Sequence, residues 1–113
     1  MQQIMELAER LGDAIIGSPQ AANLRTAKEA LSADAASSKL MNDFREQTDK
    51  IAKFEQDKQP VGVEDKHRLQ ELHGQLIANE LFKKLTAAQV EYVDIMRKVN
   101  DALQAKLAAT ESS

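Results

Sequence analysis

The chain has 113 residues, of which 42% are hydrophobic and 4% aromatic, and it contains no cysteine. That length supports one domain with a core of Leu, Ile, Val and Ala, and the cysteine count excludes disulfides, thiolate metal sites and cysteine nucleophiles. Fifteen basic residues against 18 acidic ones give a formal charge of −3, without the basic excess that nucleic-acid binders use to neutralise phosphates. No apolar run approaches the roughly 20 residues of a membrane span. The opening Met1–Gly12 lacks the positive segment and continuous apolar stretch of a secretory signal. The expectation is a cytoplasmic protein with no direct nucleic-acid contact and no membrane insertion.

The first predicted helix runs from about Gln2 to Ile16, with Ile4, Leu7, Ala8, Leu11 and Ile15 on one inward face. Gly17-Ser18-Pro19 ends it. Gly17 suits a left-handed C-terminal position, Ser18 can cap the next helix and Pro19 suits a first turn. The second helix, about Pro19 to Leu31, is short and turns Leu24, Ala27 and Leu31 inward. Ser32 or Asp34 can cap a third helix reaching about Gln56, whose inner face is Ala36, Leu40, Phe44, Gln47, Ile51 and Phe54.

Pro60-Val61-Gly62 then predicts a tight reversal. A fourth helix starts near Glu64 and presents Leu69, Leu72, Leu76 and Ile77. The last, about Asn79 to Leu107, carries the longest stripe, from Leu81 and Leu85 through Ala88, Tyr92, Ile95, Val99 and Leu103. Periodicity does not decide whether these two helices form one rod or bend near Asn79. The fold class is therefore all-α: a compact bundle of four to five helices with a long antiparallel helical hairpin. A single domain is expected over 1–109, with a frayed tail at 110–113.

Acid-then-base pairs four residues apart decorate the outer faces: Glu6/Arg10, Glu46/Lys50, Asp49/Lys53, Glu64/Arg68, Glu80/Lys84 and Asp94/Lys98. Each is a favourable helix pair worth about 0.2–0.5 kcal/mol and reads as solvated surface.

Chemistry-bearing patterns are weak. His67 and His73 stand six residues apart, about 240° around a helix, so they cannot chelate one metal together. Glu64 and His67 form one Glu-x-x-His, whereas di-iron bundles need two such pairs and two further Glu. The serines lie at caps, on an alanine-rich face or in the tail, outside any nucleophile-elbow pattern. Neither a catalytic residue nor a metal or cofactor is expected.

Apolar residues beyond the core stripes are the exception. Met5, Gly12 and Ile16 form a second face on the first helix, and Phe82, Val93 and Leu107 do so on the last, with Val90 further round. A second stripe contacts another chain or a further element of the same one. These six residues are the candidate partner-binding set, and a homodimer is the expected assembly.

The chain resembles the YlbF/YmcA-type (Com_YlbF) regulator family from Ala8 to Leu103. The residues that carry the likeness are Ala8-x-x-Leu11-x-x-x-Ile15-x-x-Ser18, Leu31-x-x-Asp34-x-Ala36 and Leu40-x-x-x-Phe44-x-x-Gln47, followed by Leu69-x-x-Leu72, Asn79 and Val99-Asn100-x-x-Leu103. The resemblance implies a non-enzymatic adaptor that works with other regulatory proteins, in some members with an endoribonuclease complex in RNA maturation. Certain members hold an iron–sulfur cluster on cysteines. This chain has none, so that cofactor is not expected. A helical-hairpin structural or chaperone-like subunit is the alternative function, and an enzyme the third.

Overall fold

The computed structural model describes the backbone of residues 1–112 and the side chains of residues 1–110. Five helices follow one another: α1 Gln2–Ile16, α2 Pro19–Ala33, α3 Ala35–Gln56, α4 Val63–Ala78 and α5 Glu80–Ser112. No strand occurs among the described residues. Of the tail expected at 110–113, α5 takes in 110–112, and Ser113 lies outside the described residues.

The chain divides into two compact units, one of residues 28–85 and the other of residues 1–27 with α5 from Thr86 onward. In the unit of residues 28–85, α3 and α4 pack against each other. Contacts between Ser37 and Asn79, Phe44 and His73, and Lys50 and Asp65 show the pairing to be antiparallel. The hairpin expected from the Pro60-Val61-Gly62 break is present. Leu31, Leu72, Leu76 and Leu85 are its buried apolar residues. Leu72 and Leu76 stand four apart, so both fall on one helix face, as Leu-x-x-x-Leu requires.

The joint between α1 and α2 is built as the sequence suggests in two of three respects. Ser18 Oγ accepts the Ala21 N–H at 3.2 Å and donates to the Ile15 carbonyl at 2.6 Å, and Pro19 opens α2. Gly17, however, is not left-handed. It lies at φ −80°, ψ −1°, with its N–H on the Asp13 carbonyl at 3.0 Å. Because the Ser18 hydroxyl and N–H both reach the Ile15 carbonyl, that carbonyl is satisfied without a left-handed residue.

The left-handed position falls instead at Lys58, φ 58°. Its N–H donates to the Glu55 carbonyl at 3.1 Å and the Gln59 N–H to the Phe54 carbonyl at 2.8 Å, the paired bonds of a Schellman ending. The reversal after α3 is therefore made at Lys58, ahead of Pro60. Gly62, at φ −68°, ψ 153°, is the N-cap of α4. A side chain at positive φ costs about 1–2 kcal/mol. Lys58→Gly, despite the greater freedom glycine has in the unfolded chain, is expected to raise stability by about 0.5–1 kcal/mol. Urea unfolding at neutral pH measures it, and a lower midpoint would count against the strain.

In the other unit the outcome differs from the sequence expectation. Ala88 is buried, and Tyr92, Ile95 and Val99 are half-buried, so the inner stripe of α5 faces protein as far as Val99, whereas Leu103, assigned to the same stripe, is 52% exposed. The stripe of α1 does not. Ile4 is 64% exposed and Leu7 53%, and α1 has no buried residue. Most of the face assigned to the core by periodicity is open to solvent, with Ile15 half-buried at its end. Periodicity shows that a helix has an apolar side, but not which chain covers it.

Candidate functional site: polar joints and open apolar faces

The polar side chains with the most structured surroundings hold helix ends together. Asp34, with extended backbone, is the N-cap of α3, and its carboxylate accepts the Ser37 N–H at 2.9 Å and the Ser37 hydroxyl at 2.6 Å. Ser37 is 3% exposed. Its oxygen also accepts an N–H from the Asn79 amide at 2.9 Å, and the Asn79 carbonyl oxygen accepts the Phe82 N–H at 2.9 Å. Asn79 sits at φ −75°, ψ 125°, a single extended residue between α4 and α5. The chain thus breaks at Asn79, and one amide caps the new helix while tying it to the start of α3.

A second joint lies further along the hairpin. Asp65, in the first turn of α4, accepts the Gln47 amide on its backbone carbonyl at 2.9 Å and pairs with Lys50 at 3.0 Å. Lys50 and Gln47 hold the Asp65 carboxyl below the ordinary carboxylate range. Ser37 does the same to Asp34 by hydrogen bonding, and Arg97 with Lys98 does it to Asp94. All three shifts favour the ionised form in the folded chain. Their stabilisation is present above the unfolded value near 4 and is lost as pH falls through the depressed folded values. Acid titration of the thermal midpoint should therefore fall below about pH 4, and Asp34→Asn, which keeps an acceptor but does not titrate, should flatten that limb. A limb identical in the variant would remove Asp34 from the account.

Of the six expected four-apart ion pairs, Asp94–Lys98 forms, at 3.0 Å. Lys50 crosses to Asp65, Arg68 turns to Glu71 and Lys83 takes Glu80. Arg97 bridges Asp94 and Asp101 at 2.6 and 3.2 Å. Spacing supplies neighbours, and long side chains choose among them.

No chemistry-bearing cluster appears among the described residues, where no group of three or more His, Asp or Glu side chains is placed to hold a metal ion. His67 is exposed. The His73 ring lies 6.1 Å from that of Phe44, tilted by 34°, a packing contact across the hairpin. A shallow depression beside the end of α3 is lined by Lys50, Lys53, Phe54, Asp57 and Gln59, mixed charges without a nucleophile–base pair. No helix of the described residues is long and apolar enough to cross a membrane.

The six candidate partner-binding residues fall in both units. Met5 and Ile16 on α1 and Val93 and Leu107 on α5 are all more than half exposed. Gly12 is half-buried, with open space where a Cβ would stand. These five belong to one unit. Phe82 belongs to the other, is half-buried and follows the Asn79 cap. The buried hydroxyl of Ser37 was missed by sequence reasoning. The signal available for it was the Asp34-x-x-Ser37 spacing, which places the serine at the third helical position, within reach of a capping carboxylate.

Five helices, with polar side chains at the joints between them and apolar faces left open, make a small all-α protein whose described residues offer surface for contact and no cluster for chemistry. The chain belongs to the family described as control of competence regulator ComK, YlbF/YmcA, whose profile matches residues 4–108. It is 32% identical over 88 residues to a UPF0342 protein of Streptococcus pyogenes serotype M4, covering 78% of each chain, and equally identical to a relative from serotype M3. The fold matches that of Bacillus subtilis RicA, solved in complex with RicF, at a TM-score of 0.82 and 18% identity over 94% of each chain. A Bacillus stearothermophilus protein of unknown function (DUF964) matches at 0.73, with 17% identity over 94% of this chain and 93% of that one. Of the polar residues that carry the family likeness, Ser18, Asp34, Gln47 and Asn79 hold the joints, and Asn100 is exposed on α5.

Proposed function

We propose that this protein is a non-enzymatic regulatory adaptor that acts in the cytoplasm through protein–protein contacts, first with a second copy of itself. The observation that carries the reading is α1, amphipathic and 15 residues long, with no buried residue. Exposed apolar faces of this size are unusual on monomers and mark contact surfaces. That RicA was solved in complex with RicF supports protein partners for a chain of this fold. The family's link to a competence regulator supports regulatory proteins as those partners, and we extend this reading to a ribonuclease complex acting in RNA processing.

The self-contact runs through Met5, Gly12 and Ile16 of α1 and Val93 and Leu107 of α5, and Phe82, in the unit of residues 28–85, is a separate candidate contact. Ile16→Glu combined with Val93→Glu sets charges where desolvation is costly. Both positions are solvent-exposed in the single chain, so its fold should survive. Light scattering at micromolar concentration should show a dimer for the wild type and one chain for the double variant, with unchanged helix content by circular dichroism. A wild-type mass of one chain would defeat the self-contact. Affinity capture from the native cell, with the double variant as control, tests the wider adaptor role. Regulatory proteins or ribonuclease subunits retained by both proteins equally would mean that these faces do not recruit them.

A further inference from the structure

We infer that the dimer proposed above closes along the second half of α5, as a parallel, in-register helix pair in which Asn100 faces Asn100 of a second copy. The inference rests on that dimer reading and adds which helix meets which, and in what register.

Val93, Met96, Asn100, Leu103 and Leu107 recur in steps of three and four, the a-d-a-d-a spacing of a two-helix seam. On a helix of 3.6 residues per turn they share a stripe about 80° wide. It lies beside the stripe of Tyr92, Ile95 and Val99, which is half-buried within the chain. Val93, Leu103 and Leu107 are 64%, 52% and 58% exposed, and Met96, on the side nearer that stripe, is half-buried. No charged residue falls on the seam, so a partner helix can approach without burying a charge. The cation nearest its edge, Arg97, is already held by Asp94 and Asp101 of its own helix.

Asn100 identifies the occupant. It is exposed at the centre of an otherwise apolar seam, and among the described residues its amide has no partner. An apolar partner helix from a different protein would bury that amide unsatisfied, a cost of about 1–3 kcal/mol. A second copy in register supplies the complement, because an amide carries both donors and an acceptor and so pairs with itself. A lone Asn at an a position fixes register and two-strandedness at some cost in stability, and Val93 at a with Leu103 at d has the two-strand preference.

The chain has no cysteine, so single cysteines report contacts without background. Asn100→Cys and Leu103→Cys should oxidise to covalent dimers, and Lys98→Cys, on the opposite side of α5, should not. Asn100→Val keeps the seam apolar and removes its register mark, so light scattering should show tighter association into more than one oligomeric state. A wild-type mass of one chain overturns both the dimer and the seam. A dimeric mass with no cross-link at 100 or 103, or with Lys98→Cys cross-linking equally fast, overturns the seam and leaves the dimer standing. A single dimeric state for Asn100→Val overturns the register role.

Discussion

Leu72→Ala is expected to lower the free energy of unfolding by about 2–5 kcal/mol, the usual range for deleting a buried leucine. Leu72 is 2% exposed, the most enclosed large side chain among the described residues, and lies on α4 within the unit formed around the α3–α4 hairpin. A core built with few aromatic residues has little with which to refill a cavity, and close-packed interiors relax only partly. Against a total of about 5–15 kcal/mol for an ordinary domain, the loss should be visible as a large drop in the urea midpoint. His67→Ala, on an exposed face of the same helix, is the matched control and should change stability by less than about 0.5 kcal/mol. Equal losses for the two would mean that the hairpin is not organised around Leu72.

Much of this fold is legible in the sequence because its signals are local. Apolar spacing locates all five helices, and Ser18, Pro19 and Asp34 mark starts that the structure builds with the expected hydrogen bonds. Endings are less legible. A left-handed residue is expected at Gly17, where glycine is free to adopt it, and is found at Lys58, where the paired bonds from Lys58 and Gln59 impose it. Glycine permits that conformation without demanding it.

The covering of each apolar face is the least legible feature. Leu7 and Leu72 occupy equivalent places in helical patterns, yet one is 53% and the other 2% exposed. The difference lies in which elements meet, and a one-dimensional pattern does not contain it. The exposure of Ile16 and Val93 and the failed inward assignment of Ile4 and Leu7 have one cause. Periodicity reports apolar surface and leaves its partner open.

Asn79→Ala should be the most damaging polar substitution in the hairpin, with an expected loss of about 1–3 kcal/mol summed from a lost N-cap and a lost hydrogen bond to the buried Ser37 oxygen. The wild-type amide donates to the buried Ser37 oxygen and accepts the N–H of Phe82, the third residue of α5. Alanine removes both bonds while favouring helix at the one extended residue between α4 and α5. The break itself is then weakened, and α4 and α5 gain a tendency to run on as one rod. Asn79→Asp separates the two effects. A carboxylate still accepts the Phe82 N–H and suits a helix N-terminus, but when ionised it has no donor for Ser37. The Ser37 hydroxyl already donates to Asp34 at 2.6 Å and is not free to turn. Chemical unfolding should therefore rank the proteins wild type, then Asn79→Asp, then Asn79→Ala. Ser37→Ala removes the same bond from the other side together with its own bond to Asp34, so the double variant should lose less than the sum of the two single losses, the shortfall being the shared bond. Full additivity of the two substitutions would show that the amide and the hydroxyl act independently, and that the joint between α3 and α5 is not made by this bond.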